Sequence, residues 1–137
     1  MATANTQLMQ SLYAAFARGD AGTVLGTFDP QIVWNDAENF EYADGNPYIG
    51  PQRVAEGIFG RLMAEWDNFA VTPQQFVSED DVVVVTGRYR GAYKATGSPV
   101  DAQFVHVWTV REGKVVAFQQ YTDTLQFARA IHGVAAI

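Results

Sequence analysis

From Phe69 to Tyr121 the chain alternates large or β-branched residues with polar or small ones at a period of two, whereas before Phe69 its apolar residues recur mostly at helical spacing. That change of period separates a helical first half from a strand-rich second half. Leu8, Leu12, Ala15 and Phe16, widened by Met9 and Tyr13, predict an amphipathic helix over Thr6 to Arg18 that Gly19-Asp20 closes. A shorter helical segment from Ala21 to Phe28 ends at Asp29-Pro30, because the residue before proline avoids the α region. Ile32-Val33-Trp34 reads as a short strand. Gly50-Pro51 opens a third helix whose buried side is Val54, Ile58 and Leu62 with Phe59 beside them, and Trp66 lies just past it.

Four strands follow, over Phe69 to Val77, Asp81 to Ala95, Val100 to Arg111 and Lys114 to Tyr121, with turns at Ser78-Glu79-Asp80 and Thr96-Gly97-Ser98-Pro99. Pairing Arg111 with Lys114 across Glu112-Gly113 sets a hairpin register in which His106 faces Gln119, Phe104 faces Tyr121, Trp108 faces Ala117 and Ala102 faces Asp123 on one side. The other side carries Gln103, Val105, Val107 and Thr109 against Val116, Phe118 and Gln120, apolar enough to need covering. Pairing Thr96 with Pro99 sets a second register, with Tyr89 opposite His106, Gly91 opposite Phe104 and Gly87 opposite Trp108. It turns Val83, Val85, Gly87, Tyr89, Gly91 and Tyr93 inward and Arg88, Arg90 and Lys94 outward. Thr122 to His132 predicts a closing helix, and the tail from Gly133 to Ile137 is expected to fray. Together these elements predict a single α+β domain spanning 1–137, ordered from about residue 5 to 132, with helices packed on one face of a curved antiparallel sheet.

Residues Asn35 to Gly50 form a long loop that carries Phe40, Tyr42 and Tyr48, and two readings stand: a flap over a cavity, or a connection packed by its own rings. The whole chain, 137 residues with 48% hydrophobic and 13% aromatic content, is large and apolar enough for one core without staples. A net charge of −6 lacks the basic footprint of phosphate-backbone binding, so no nucleic-acid partner is expected. With no cysteine, thiolate nucleophiles and disulfides are excluded, and two histidines are too few for a histidine-rich metal centre. Met1 to Gln10 shows no signal-peptide pattern and no apolar run reaches the length of a membrane span, so a cytoplasmic protein without a membrane partner is the expectation.

The order helix, helix, strand, loop, helix, four strands resembles the cone-shaped, cystatin-like roll of the nuclear-transport-factor-2-like superfamily, in its SnoaL-like and ketosteroid-isomerase-like branch. The residues that carry the likeness are Ala17-Arg18-Gly19-Asp20, Tyr48-Ile49-Gly50-Pro51, Val107-Trp108, Gly113-Lys114-Val115-Val116 and Tyr121-Thr122-Asp123. The resemblance implies a hydrophobic pocket between the concave sheet face and the helices, in a homodimer that packs through the outer sheet face. By the family's spacing the steroid-isomerase base falls on Asp36 and its donor aspartate on His106, while its tyrosine falls on Leu12, one position from Tyr13. The base of SnoaL-type cyclases falls on Asp123. Epoxide-hydrolase chemistry is disfavoured, because Arg88-Tyr89-Arg90 offers no carboxylate where that activity needs one.

Such a fold hosts many reactions, so the chemistry has to come from the site. Removing a proton next to a carbonyl needs a carboxylate whose pKa burial has raised, and a neutral donor aimed at the oxygen that gains charge. Asp123 or Asp36 can be the carboxylate and His106 the donor, with Trp34, Tyr48, Tyr89, Phe104, Trp108, Gln119 and Tyr121 as pocket wall or orienting groups. Asp123 can equally cap the last helix. The expected activity is cofactor-free and metal-free acid/base chemistry, an isomerisation, cyclisation or dehydration, on a small hydrophobic carbonyl compound. The alternative is a non-catalytic binding or accessory domain that uses the same pocket.

Overall fold

In the computed structural model, which describes residues 3–133, Thr3 caps the first helix by accepting from the Thr6 amide at 3.1 Å. That helix, α1, spans Ala4–Ala17 and buries Met9, Leu12, Tyr13 and Ala15, the stripe its spacing predicts. Gly19, at φ 75°, stops it, and Asp20 caps α2 (Ala21–Gly26) through the Thr23 amide. Strand β1 (Phe28–Asn35) is longer than predicted because it runs through Pro30. It tolerates the missing N–H because its pairing with the last strand is interrupted between Phe28 and Val33.

Beyond β1 the chain makes a 3₁₀ turn at Glu41–Gly45 and the two-residue strand β2 (Tyr48–Ile49). Phe40, Tyr42 and Tyr48 are all buried, so this stretch is a packed wall rather than a flap. The third helical segment consists of α3 (Pro51–Val54), a π-helical turn (Ala55–Phe59) and α4 (Gly60–Glu65), and Val54, Ile58 and Leu62 face the core as expected. Tyr48 is part of that packed wall. Its ring lies against Gly45 and Gly57, where an added Cβ would stand 2.4 Å and 2.2 Å from it, and its hydroxyl donates to the Tyr42 carbonyl at 2.7 Å. Its role is structural, because the two glycines leave room for a ring to join the loop to the helix.

Strands β3 (Trp66–Glu79), β4 (Val82–Tyr93), β5 (Pro99–Arg111) and β6 (Lys114–Thr122) complete a six-stranded sheet in the order β2-β1-β6-β5-β4-β3. Among the described residues only β1 and β6 pair in parallel. The fold is α+β: a curved, unclosed sheet with the helices on its concave face. The last helix, α5 (Thr124–His132), closes one end by packing Phe127 on Phe40, Trp66 and Tyr89. No described helix is long and apolar enough to cross a membrane. The tail predicted to fray lies, beyond Gly133, outside the described residues.

Both predicted registers are corrected. Arg111 does pair with Lys114, across a turn in which Glu112 and Gly113 both have positive φ. One residue further in, however, the pairing steps from Val110↔Val115 to Thr109↔Ala117, so His106 faces Gln120 and Trp108 faces Phe118. A one-residue bulge exchanges the two faces of everything beyond it. Phe118 and Gln120 therefore point inward, and Gln119 and Tyr121 outward. The β4–β5 pairing shifts by four residues, to Gly87↔Phe104 and Tyr89↔Ala102, because its loop is longer than a tight turn. An even shift preserves faces, so Val83, Val85, Gly87 and Tyr89 are buried as predicted.

Gly87 is the close approach in this sheet. A Cβ there would stand 2.2 Å from the Thr72 carbonyl oxygen and 2.5 Å from the Phe104 ring. Gly87→Ala is expected to destabilise the fold by about 1–3 kcal/mol through overpacking, read as a lower urea midpoint at unchanged slope.

Candidate functional site

Asp36 leaves the end of β1 and turns under the sheet, where it is 2% exposed. Its main chain is held by Asn46, which accepts from the Asp36 amide at 3.0 Å and donates to the Asp36 carbonyl at 2.9 Å. One carboxylate oxygen, Oδ1, accepts from the Trp34 indole at 2.9 Å. The other, Oδ2, is the one buried side-chain polar atom among the described residues without a hydrogen-bond partner. Such an atom costs free energy unless something supplies a proton or a donor. Burial raises its pKa from the usual 3.8 to about 7, against the opposing pull of the Trp34 bond.

Across the same cavity, His106 sits between two phenols. Its Nδ1 is 2.5 Å from the Tyr13 hydroxyl and its Nε2 2.5 Å from the Tyr89 hydroxyl. The Trp108 indole donates to the Tyr13 oxygen at 3.0 Å, and the Gln120 amide donates to the Tyr89 oxygen at 2.9 Å. Gln120 in turn accepts from the Ala37 amide at 3.1 Å, which ties the network to the Asp36 loop. Burial lowers His106 to about 3, so the ring is neutral near physiological pH, and burial raises both tyrosines, which stay protonated.

Proton counting then decides what the network offers. A neutral imidazole has one N–H and one acceptor nitrogen. If Nε2 carries the proton, Tyr13 donates to Nδ1 and Tyr89 accepts from both Nε2 and Gln120, leaving its own O–H unused. If Nδ1 carries it, the roles reverse and the Tyr13 O–H is unused. In either tautomer one tyrosine hydroxyl keeps a free proton, and both tyrosines line the cavity. The charge on Asp36 adds to the upward shift of Tyr89, as expected for groups facing one another.

The cavity has a volume of about 60 Å³ and is otherwise walled by apolar groups, among them Trp34, Phe40, Phe59, Phe69, Trp108 and Phe118. Of the predicted site residues, Asp36, His106, Trp34, Tyr89 and Trp108 line it together. Phe104 supports it from behind, stacked on His106 with centroids 3.9 Å apart. Asp123 does not reach it. It occupies the cap position of α5 without bonding the helix amides, accepts from Gln126 at 3.0 Å, and borders a groove that also contains Tyr121. Gln119 and Tyr121 leave the site because of the β6 bulge, and Tyr121 is 55% exposed. Tyr13 and Gln120 are the additions. Tyr13 was visible as a hydroxyl-bearing residue on the buried stripe of α1. Gln120 was signalled by Val115 and Phe118, two apolar residues at an odd separation that share the inner face only if a bulge lies between them. Among the described residues no group of three or more His, Cys, Asp or Glu is placed to hold a metal ion.

The profile of the SnoaL-like domain family matches residues 9–118, and the chain belongs to that family. Among solved structures it is similar to an NTF2-like protein from Burkholderia thailandensis, with 34% identity, a TM-score of 0.89, and coverage of 96% of this chain and 98% of that one. It is also similar to TerC, co-crystallized with polyporic acid, at 25% identity and a TM-score of 0.83 over 95% and 99% of the two chains. A Xanthomonas campestris protein of unknown function with a cystatin-like fold shares the fold at 20% identity, with a TM-score of 0.78 over 91% and 95%. No curated protein matches the sequence.

The raised Asp36 pKa has a thermodynamic consequence. The folded chain binds that proton more tightly than the unfolded chain, so the stabilisation is complete below pH 3.8 and is lost as pH rises through about 7. Asp36→Asn, uncharged at every pH, is therefore expected to be more stable than the parent at pH 8 by roughly 2–4 kcal/mol, with the difference closing by about pH 4, in paired denaturant titrations.

Proposed function

We propose that this chain is a cofactor-free acid/base enzyme acting on a hydrophobic carbonyl compound, with Asp36 as the base. The observation that supports this most directly is the partnerless Oδ2 of Asp36, buried in the same apolar cavity as a network with a surplus tyrosine O–H. The base takes a proton from the carbon next to the carbonyl. The C–H electron pair becomes the carbon–carbon double bond, the carbonyl π pair moves onto oxygen, and a hydroxyl of the Tyr13–His106–Tyr89 network donates to the enolate oxygen. Returning the proton at another carbon gives isomerisation. Attack of the enolate carbon on a second carbonyl, whose oxygen takes the proton back from Asp36, gives cyclisation, and loss of a β-hydroxyl as water, carrying that same proton, gives dehydration. A pKa of about 7 suits Asp36 to both taking and returning a proton near neutral pH. That TerC was co-crystallized with a small organic acid fits a fold that takes small organic ligands.

A second reading, a ligand-binding module without turnover, is favoured by one fact: Asp123, the cyclase-type base implied by the resemblance, stands outside the cavity. The partner we propose for the chain is a second copy on the outer sheet face, through Val105, Val107 and Val116, which are only half-buried. Phe118 drops out of that surface because the bulge turns it inward.

With a substrate found by screening carbonyl compounds, kcat/KM is expected to rise through about pH 7 as Asp36 ionises. Asp36→Asn should lower kcat by at least about 10²-fold, whereas Asp123→Asn should leave it near the parent value. Turnover that survives Asp36→Asn would remove Asp36 from the chemistry, and tight binding without turnover in the parent would establish the binding module. Sedimentation of the parent should give a dimer; a monomer would sink the outer-face interface.

A further inference from the structure

The cavity around Asp36 and His106, at about 60 Å³, is too small for its proposed substrate, since a single benzene ring takes roughly 150 Å³ of apolar cavity. A second space of about 320 Å³ adjoins it, bordered by the end of α1, α2, α4 and the start of β3. Phe16, Val24, Phe59, Leu62 and Phe69 line both spaces, so they form the partition between them. The outer space is walled elsewhere by Ala17, Gly19, Ala21, Met63, Trp66 and Asn68, of which Asn68 and the Trp66 indole carry polar side-chain nitrogen or oxygen atoms.

Three of the five residues of the partition are phenylalanines. Phe59 closes it by meeting the Phe16 ring at 5.5 Å on the outer side and the Trp34 ring at 5.7 Å on the inner side, and Trp34 is the residue that holds Asp36. Phe59 is also the last residue of the π-helical turn Ala55–Phe59, an irregularity that recurs at functional sites because it frees a side chain from regular helical packing. The inner space has donors and a base but little volume. The outer space has volume but no titratable side chain in its wall.

We infer that the two spaces are one binding site in two chambers, and that its ligand is an elongated aromatic carbonyl or phenolic compound whose oxygen-bearing end enters the inner chamber while a second ring fills the outer one past Phe59. This rests on the proposed function only for which end of the ligand points inward. Ala17 and Ala21 border the outer chamber alone, and both are exposed. Filling the chamber from either position leaves the inner groups untouched.

The test is a ligand-observed NMR titration of the full chain with phenol and with 4-phenylphenol. The parent should bind 4-phenylphenol at least about tenfold more tightly than phenol, as burial of a second ring requires. Ala17→Phe, and independently Ala21→Phe, should erase that advantage, with an unchanged thermal melt as the folding control. Equal affinities in the parent, no saturable binding of 4-phenylphenol, or full retention of the advantage in both filled variants would overturn the two-chamber site. Tyr13→Phe separates this from the acid/base reading. If it leaves phenol affinity unchanged while the filled variants behave as expected, the chambers stand and the hydroxyl network loses its assigned role.

Discussion

The structure turns on a neutral histidine buried between two tyrosine hydroxyls. His106 has no carboxylate partner, and burial is the whole cause of its lowered pKa. A polar ring in such a place is tolerated only if both nitrogens are bonded, and the two bonds come from different parts of the chain: Tyr13 on α1 and Tyr89 on β4. Trp108 and Gln120 complete the set from β5 and β6. A network of this kind loses more than one bond's worth of stability when a member is removed, because each partner left behind is also buried. It therefore fixes where the first helix lies against the sheet, and with it the shape of the cavity.

Asp36 is the counterweight. Its free oxygen destabilises the fold at neutral pH, and the Trp34 bond offsets only part of that cost. Groups that are costly to the fold and held firmly in place are those expected at a working site. Here the holding is traceable. The bulge in β6 brings Phe118 to the inner face, Phe118 stacks on Trp34 with centroids 3.7 Å apart, and the Trp34 indole grips the carboxylate. One extra residue in a strand thus sets the position of a carboxylate just past the end of another.

Much of the fold was legible because helix and strand periodicity are local. The buried stripes of α1 and of the third helical segment, the inner face of β4 and the Arg111–Lys114 turn all follow from residues a few positions apart. Asp36, His106, Trp34, Tyr89 and Trp108 were legible as residues of one cavity for the same reason, together with the family likeness. Asp123, Gln119 and Tyr121 were misplaced by a single cause. The register of β6 was carried outward from its turn as though the strand were regular, and parity failed at Val116. Tyr48 was misread for another reason: the space that Gly45 and Gly57 leave for its ring exists only once the loop and helix meet.

The sequence by itself determined the α+β class, the order of elements, the absence of thiol chemistry and the residue types able to do proton transfer, because these depend on composition and short-range spacing. Only the tertiary structure decided which carboxylate enters the cavity, that Tyr13 and Gln120 join His106, and that a second chamber lies beyond Phe59. Those outcomes depend on strand register and on contacts between residues as far as 95 positions apart, as Tyr13 and Trp108 are. A side chain's face reverses with each residue of slip, and spacing along the chain cannot record a slip that the packing of Val115 and Phe118 imposes.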